Sequence, residues 1–166
     1  LEIVDEALDA DTVQGSRLPW EEVRDWFHDA GNYVDSLDRA AEALSNRLRG
    51  RGPSPSVDAL EGHLRSALSV SILYDWTTGI RDFDATMGHL QIDSGQPAES
   101  QRFQLAHQLA ALALKDEISA VVEGARLRTA AARQLLFVGL SNYAAGALLM
   151  PYHRFREDAR SVHGIS

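Results

Sequence analysis

The run RFQLAHQLAAL, residues 102–112, is the part of this chain whose residue types and spacing come nearest to a hydrolytic metal site. A zinc peptidase helix sets two histidines four positions apart, on one face, with a glutamate after the first to act as base. Here His107 stands at the first ligand position, but Gln108 replaces the base and Ala111 replaces the second ligand. Other chemistries find less. There is no cysteine, so no thiol nucleophile, disulfide framework or iron–sulfur cluster rests on these residues. Gly-rich phosphate loops and a GxSxG elbow are also missing.

The elements that must position these residues are read from length and periodicity. A chain of 166 residues, 45% apolar and 24% charged, suits one domain with its own core. A net charge of −8 argues against non-specific nucleic-acid binding by this piece, since phosphate neutralisation needs a basic surface. All but one of the 16 Lys and Arg residues are arginine, the exception being Lys115. These planar forks suit phosphate or carboxylate, and genome composition would produce the same bias. The chain starts at Leu1 with no signal-peptide pattern, and is expected to be a piece of a longer protein.

Residues 1–15 read as a frayed helix or lead-in. An amphipathic helix is predicted over 18–48, with Pro19 in its first turn and Gly31 as a kink point. The linker GRGPSPS follows, then a helix over 57–68. Alternation over 70–74, 80–83 and 89–92 predicts three short strands in a small antiparallel sheet. A long helix is expected over 98–123, ended by Gly124, and another capped by Thr129 and running to Met150. From Gln134 to Met150 no residue is charged, yet the run is shorter than a membrane span, so a helix buried on all sides is expected. A last helix is predicted over 154–162. The fold class is α+β: mostly helical with one small sheet, in a 1–52 aromatic helical segment and a 53–166 helix-sheet-helix core forming one domain overall.

The RFQLAHQLA run and the later NYAAGALLMP, followed by Tyr152, Arg154 and Phe155, together resemble the ImmA/IrrE family of metallopeptidase-like domains. That resemblance implies a zincin-like core. In that family a glutamate shortly before the asparagine supplies the third metal ligand, where this chain has LFVGLS, so the expected fold is one that has lost its metal site. A residual peptidase remains the rival reading. A wider resemblance rests on EEVRDWFHDAGNYVDSLD, RDFDATMGHLQID, RFQLAHQLA and SNYAAGALLMPYHRF, and is to the short-chain fatty acyl-CoA regulators of actinobacteria. It implies the central sensor of a cytoplasmic, non-enzymatic transcription factor of propionate metabolism, binding propionyl-CoA or a similar acyl-CoA. Operator DNA would be read by a helix-turn-helix outside this chain, and an iron–sulfur cluster held by a C-terminal domain also outside it. A homo-oligomer is expected, and no membrane association.

An acyl-CoA asks for cations at its phosphates, an aromatic or apolar wall, and a small pocket for the acyl end. Arg39 is the first phosphate candidate; the alternative is an exposed pair with Asp35 or Glu42. Arg65 carries the same two readings, and Arg102 either contacts ligand or pairs with Glu99. Tyr33 lies off the apolar register and is a contact candidate, whereas Phe27 beside Trp26 is in core register and reads as either packing or ligand wall. Phe103 and His107 share the first motif helix; a lone histidine is read as a satisfied core residue or a ligand contact. Tyr143 either anchors its helix to backbone or lines the acyl pocket. Gly139 and Gly146, seven apart on one face, allow close approach of a helix or of ligand. A scaffold or dimerisation domain with no ligand is the third reading.

Overall fold

A computed structural model describes residues 18–77 and 79–150. The readings made for 1–15 and 154–162, and for Tyr152, Arg154 and Phe155, fall outside them. Among the described residues there are six helices and one three-stranded sheet. They run α1 (Pro19–Asp29), α2 (Asp35–Leu48), α3 (Val57–Ser66), β1 (Ser71–Asp75), β2 (Arg81–Asp84), β3 (His89–Asp93), α4 (Ala98–Ala113), α5 (Lys115–Ala125) and α6 (Ala130–Leu149).

The helix predicted over 18–48 is two helices. Gly31 and Asn32 both adopt positive φ, at 66° and 57°. The Asn32 amide donates to the Phe27 carbonyl at 2.8 Å and that of Gly31 to the His28 carbonyl at 3.0 Å. This pair of bonds ends a helix at a left-handed glycine, so Gly31 is a stop rather than a kink. The helix predicted over 98–123 also divides, at Leu114 (φ −110°, ψ 23°). No glycine or proline marks that bend. Leu114 is itself buried, and the turn brings Ile118 and Val122 of α5 into the core. The end of α5 falls at Ala125, with Arg126 rather than Gly124 in the left-handed region.

The sheet order is β1-β3-β2, and the predicted antiparallel sheet is mixed. β2 pairs antiparallel with β3, whereas β1 pairs parallel with β3. Alternation of side chains is the same in both pairings, so it carries no information on direction. Leu90 and Ile92 of β3 are buried, while Leu73, Asp82 and His89 are exposed.

A single core joins Leu37 and Leu44 of α2, Leu60 and Leu64 of α3, Leu105 and Leu109 of α4, and Leu136, Leu140 and Leu148 of α6. It therefore runs across the junction at residue 52. Thr129 caps α6 as expected, accepting from the Ala132 amide at 3.0 Å. α6 packs on α1, α2, α4 and α5, yet Leu135 and Val138 are exposed, so one stripe of this helix faces outward rather than being covered on all sides. No helix among the described residues is long and apolar enough to cross a membrane.

Gly139 is the contact between α6 and α1: a Cβ there would lie 3.1 Å from Phe27 Cε2. Gly139→Leu is expected to push Phe27 away and lower stability by about 1–3 kcal/mol in chemical denaturation. Gly146→Ala, which meets nothing within 4 Å, leaves stability unchanged or slightly raised.

Candidate functional site

The break between α1 and α2 leaves a gap in the cover of α6, and a cleft of about 570 Å³ opens there. Gly31, Asn32, Tyr33 and Asp38 form one wall; Asn142, Tyr143, Gly146, Ala147 and Met150 form the other. No sheet residue lines it.

Tyr143 ties the two walls together. Its hydroxyl accepts from the Val34 amide at 2.9 Å and donates to the Asp38 carboxylate in a short hydrogen bond. The Val34 amide belongs to the first turn of α2, where no helix carbonyl can serve it. Asp38 is 2% exposed although it is a carboxylate. It falls in register with Leu37, Ala41 and Leu44 on the buried stripe of α2. Burial, with the bond to Asp38 next, pushes the Tyr143 phenol well above its usual range, so it stays a donor throughout the physiological range. Phe27 stands behind it, ring centroids 6.5 Å apart, and meets Trp26 edge to face at 5.1 Å.

Tyr33 is on the opposite wall. It donates to Asp35 Oδ1 at 2.7 Å, which pushes its phenol up to about 12. Asp35 Oδ2 in turn accepts from Arg39 Nε at 2.8 Å. Arg39 is exposed, one ion pair away from the cleft wall. Tyr33 and Tyr143 therefore share the cleft, with Phe27 behind and Arg39 beside it. Arg65, Arg102 and Phe103 do not line it. Arg65 is exposed with Glu61 at 3.9 Å. Arg102 donates to Ser54 Oγ at 2.7 Å and the Pro55 carbonyl at 2.8 Å, fastening α4 to the 50–56 linker, with Glu99 at 4.0 Å. Phe103 packs at the edge of the core.

His107 lies beneath this cleft, 3% exposed, with both ring nitrogens engaged. Nε2 is 2.6 Å from Arg81 Nη2, and Nδ1 is 2.6 Å from Asn142 Oδ1. A guanidinium only donates, so Nε2 accepts and the proton sits on Nδ1, which donates to Asn142. Arg81 also donates to Gln104 Oε1 at 2.7 Å. Burial, then the Arg81 charge, brings the His107 pKa down to about 4. A peptidase metal does not fit here. The ring atom it would need already faces a cation, Gln108 and Ala111 stand where base and second ligand belong, and no group of three or more His, Cys, Asp or Glu among the described residues could hold an ion.

Arg81, Asp38 and Asn142 were not singled out as site residues from the sequence. Two left a trace there: Arg81 shares the face of Phe83 in the β2 segment RDFD, and Asp38 sits on the apolar stripe of α2.

Two outcomes follow from these bonds. Tyr143→Phe removes the acceptor of the Val34 amide and one hydrogen bond of the buried Asp38 carboxylate, and is expected to cost about 1–3 kcal/mol in denaturant melts. His107 binds its proton more weakly when folded than when unfolded. Its share of the stability is therefore complete above about pH 6.5 and is lost as pH falls toward about 4, by about 2 kcal/mol. Melts of wild type and His107→Gln across that window should converge at low pH; parallel curves would refute the assignment.

Residues 72–164 match the IrrE N-terminal-like domain. The chain is 39% identical over 94% of its length to a propionyl-CoA carboxylase regulator of Cereibacter sphaeroides, covering 33% of that protein. Two Mycobacterium tuberculosis proteins, the HTH-type transcriptional regulators PrpR and RamB, are 32% and 33% identical over 87% of the chain, which covers 30% and 31% of them. A solved Mycobacterium tuberculosis transcriptional regulator superposes with a TM-score of 0.77 at 32% identity, over 87% of this chain and 45% of that one. The chain thus spans about a third of the length of the curated relatives it matches. With its degenerate motif helix, mixed sheet and long apolar α6, the chain belongs to the IrrE N-terminal-like domain family, in the form found in PrpR- and RamB-type transcriptional regulators.

Proposed function

We propose that this domain is a non-enzymatic sensor that binds a short-chain acyl-CoA, propionyl-CoA or a close analogue, in the cleft between the α1–α2 junction and α6. The observation that carries the reading is the cleft itself: two tyrosines and two asparagines beside the apolar Ala147 and Met150, with Arg39 at its margin. The acyl and pantetheine parts enter the cleft and the phosphates stay at its margin, where Arg39 stands. Arg39 exchanges its exposed pair with Asp35, which is worth little in water, for a phosphate. Occupancy shifts the balance between arrangements of a homo-oligomeric parent protein and thereby its operator affinity. The helix-turn-helix that reads the operator lies outside this chain, as does any iron–sulfur cluster, since the chain has no cysteine.

Calorimetric titration with propionyl-CoA, CoA and ATP tests the reading. Propionyl-CoA is expected to bind well above ATP, and acyl-CoA species to be released from the purified domain under mass spectrometry; binding no tighter than ATP overturns it in favour of a scaffold without ligand. Arg39→Ala is expected to weaken CoA itself by about tenfold. Tyr143→Phe is expected to change the preference among acyl chains instead.

A further inference from the structure

The sheet has two free edges, and only one of them is guarded. β2 lies at one edge and turns a charge inward, Arg81, a device by which exposed edges resist pairing with a further strand. β1 lies at the other, and its sequence SILYD has no lysine, arginine or proline. The phase of the β1–β3 ladder is fixed at both ends. The Ser71 amide donates to the Gly88 carbonyl at 2.8 Å, and the Asp75 carbonyl accepts from the Ser94 amide at 3.0 Å. Ser71, Leu73 and Asp75 therefore turn their backbone groups toward β3. Ile72 and Tyr74 turn theirs to the open edge, where no strand pairs with them among the described residues. The central side chains at that edge are apolar or aromatic on both faces. Ile72 packs at the rim of the core, and Tyr74 reaches Glu61 of α3 beside a cavity of about 350 Å³. Leu73, on the outer face, is 58% exposed.

We infer that β1 is a dimerisation edge, at which a second copy of this chain adds its own β1 antiparallel to form one six-stranded sheet. A strand that pairs with its own copy must be complementary to itself. A two-fold axis at Leu73 satisfies this. It sets Ile72 opposite Tyr74 of the second copy, twice over, each pair exchanging two backbone hydrogen bonds, so that every free group of Ile72 and Tyr74 is served. A β-branched residue across from an aromatic one is a favourable cross-strand pair. Leu73 meets its own copy at the close, non-hydrogen-bonded position, which covers the most exposed apolar side chain of the strand. Charge fits as well. Asp75 faces Ser71 of the second copy, and since its Oδ1 already accepts from the Trp76 amide at 2.8 Å, Oδ2 is left for the serine hydroxyl. Two copies of a chain of net charge −8 thus meet here without setting like charges opposite each other. The pairing does not depend on what the cleft on α6 binds, because no sheet residue lines that cleft. A five-residue strand pair is small beside the standard interface of about 1,600 Å², so the dimer is weak, with an expected dissociation constant of about 10–100 µM.

Sedimentation of the 166-residue chain from about 5 µM to about 500 µM tests the inference, with a monomer–dimer equilibrium expected inside that range. Amide exchange at Ile72 and Tyr74 should slow as the dimer forms, whereas Ser71 and Leu73, bonded to β3 in either state, should change little. Leu73→Lys, at an exposed position, sets two cations opposite each other and should weaken dimerisation by at least about tenfold while keeping the monomer fold. Register is read by cross-linking, because the chain has no cysteine of its own. Leu73→Cys brings two thiols within disulfide reach and should give a covalent dimer under mild oxidation. Ser71→Cys alone holds its thiols about 13 Å apart along the strands and should not, whereas Ser71→Cys mixed with Asp75→Cys should give the mixed dimer. A monomer at every concentration, exchange at Ile72 and Tyr74 that ignores concentration, or no cross-link through Leu73→Cys overturns the inference. Cross-linking through Ser71→Cys alone as readily as through Leu73→Cys also overturns it, since the copies would then meet in another way.

Discussion

A helix without a charged residue from Gln134 to Leu149 cannot stand in water, and the arrangement of this domain follows from covering it. Four helices contribute to the cover: α4 along one side, α2 and α1 along another, and α5 folded back by the bend at Leu114. Where α1 stops and α2 starts, the cover is interrupted for five residues, Ala30 to Val34. The cleft is that interruption. It persists because Tyr143, projecting from the covered helix, occupies the hydrogen-bonding groups that the interruption exposes. Packing demand and an open site are thus reconciled at one phenol.

The second constraint is electrostatic. Helix α4 carries a histidine at the first ligand position of a peptidase helix, and a cation does face that histidine, but it is the guanidinium of Arg81 rather than a metal. Burial and the guanidinium charge both disfavour the imidazolium, so the ring stays neutral and transmits a direction of hydrogen bonding from sheet to helix. Gln104 accepts a further hydrogen bond from the same guanidinium. A half-buried cation is thereby held by neutral acceptors, and burial alone lowers its pKa.

Much of this was legible in the sequence. Helix and strand positions, the Thr129 cap, the loss of the metal set at Gln108 and Ala111, and the family itself were readable because each is local: a periodicity, a cap, a motif. The division of 98–123 was not, because Leu114 bends for reasons of burial with no breaker residue to announce it. Strand direction was hidden for a related reason, since Leu90 and Ile92 alternate inward whichever way a neighbour runs. Tyr33 and Tyr143, which line the cleft, were singled out from exposure register and apolar context. Asp38 and Arg81, the partners of Tyr143 and His107, looked like ordinary surface charges until tertiary contacts supplied the phenol and the imidazole. An isolated charge on an apolar face marks a buried network only when its partner is known, and these partners lie 105 and 26 residues away.

The bond between the Val34 amide and Tyr143 spans 109 positions. During vectorial synthesis the N-terminal helices leave the ribosome long before α6 does. Until then the first turn of α2 has an unserved amide and Asp38 has no phenol to bury against. The cleft therefore cannot be closed on both walls progressively. Its two walls meet only once the chain extends past Tyr143, so the cleft is a property of the domain as a whole and not of its N-terminal helices.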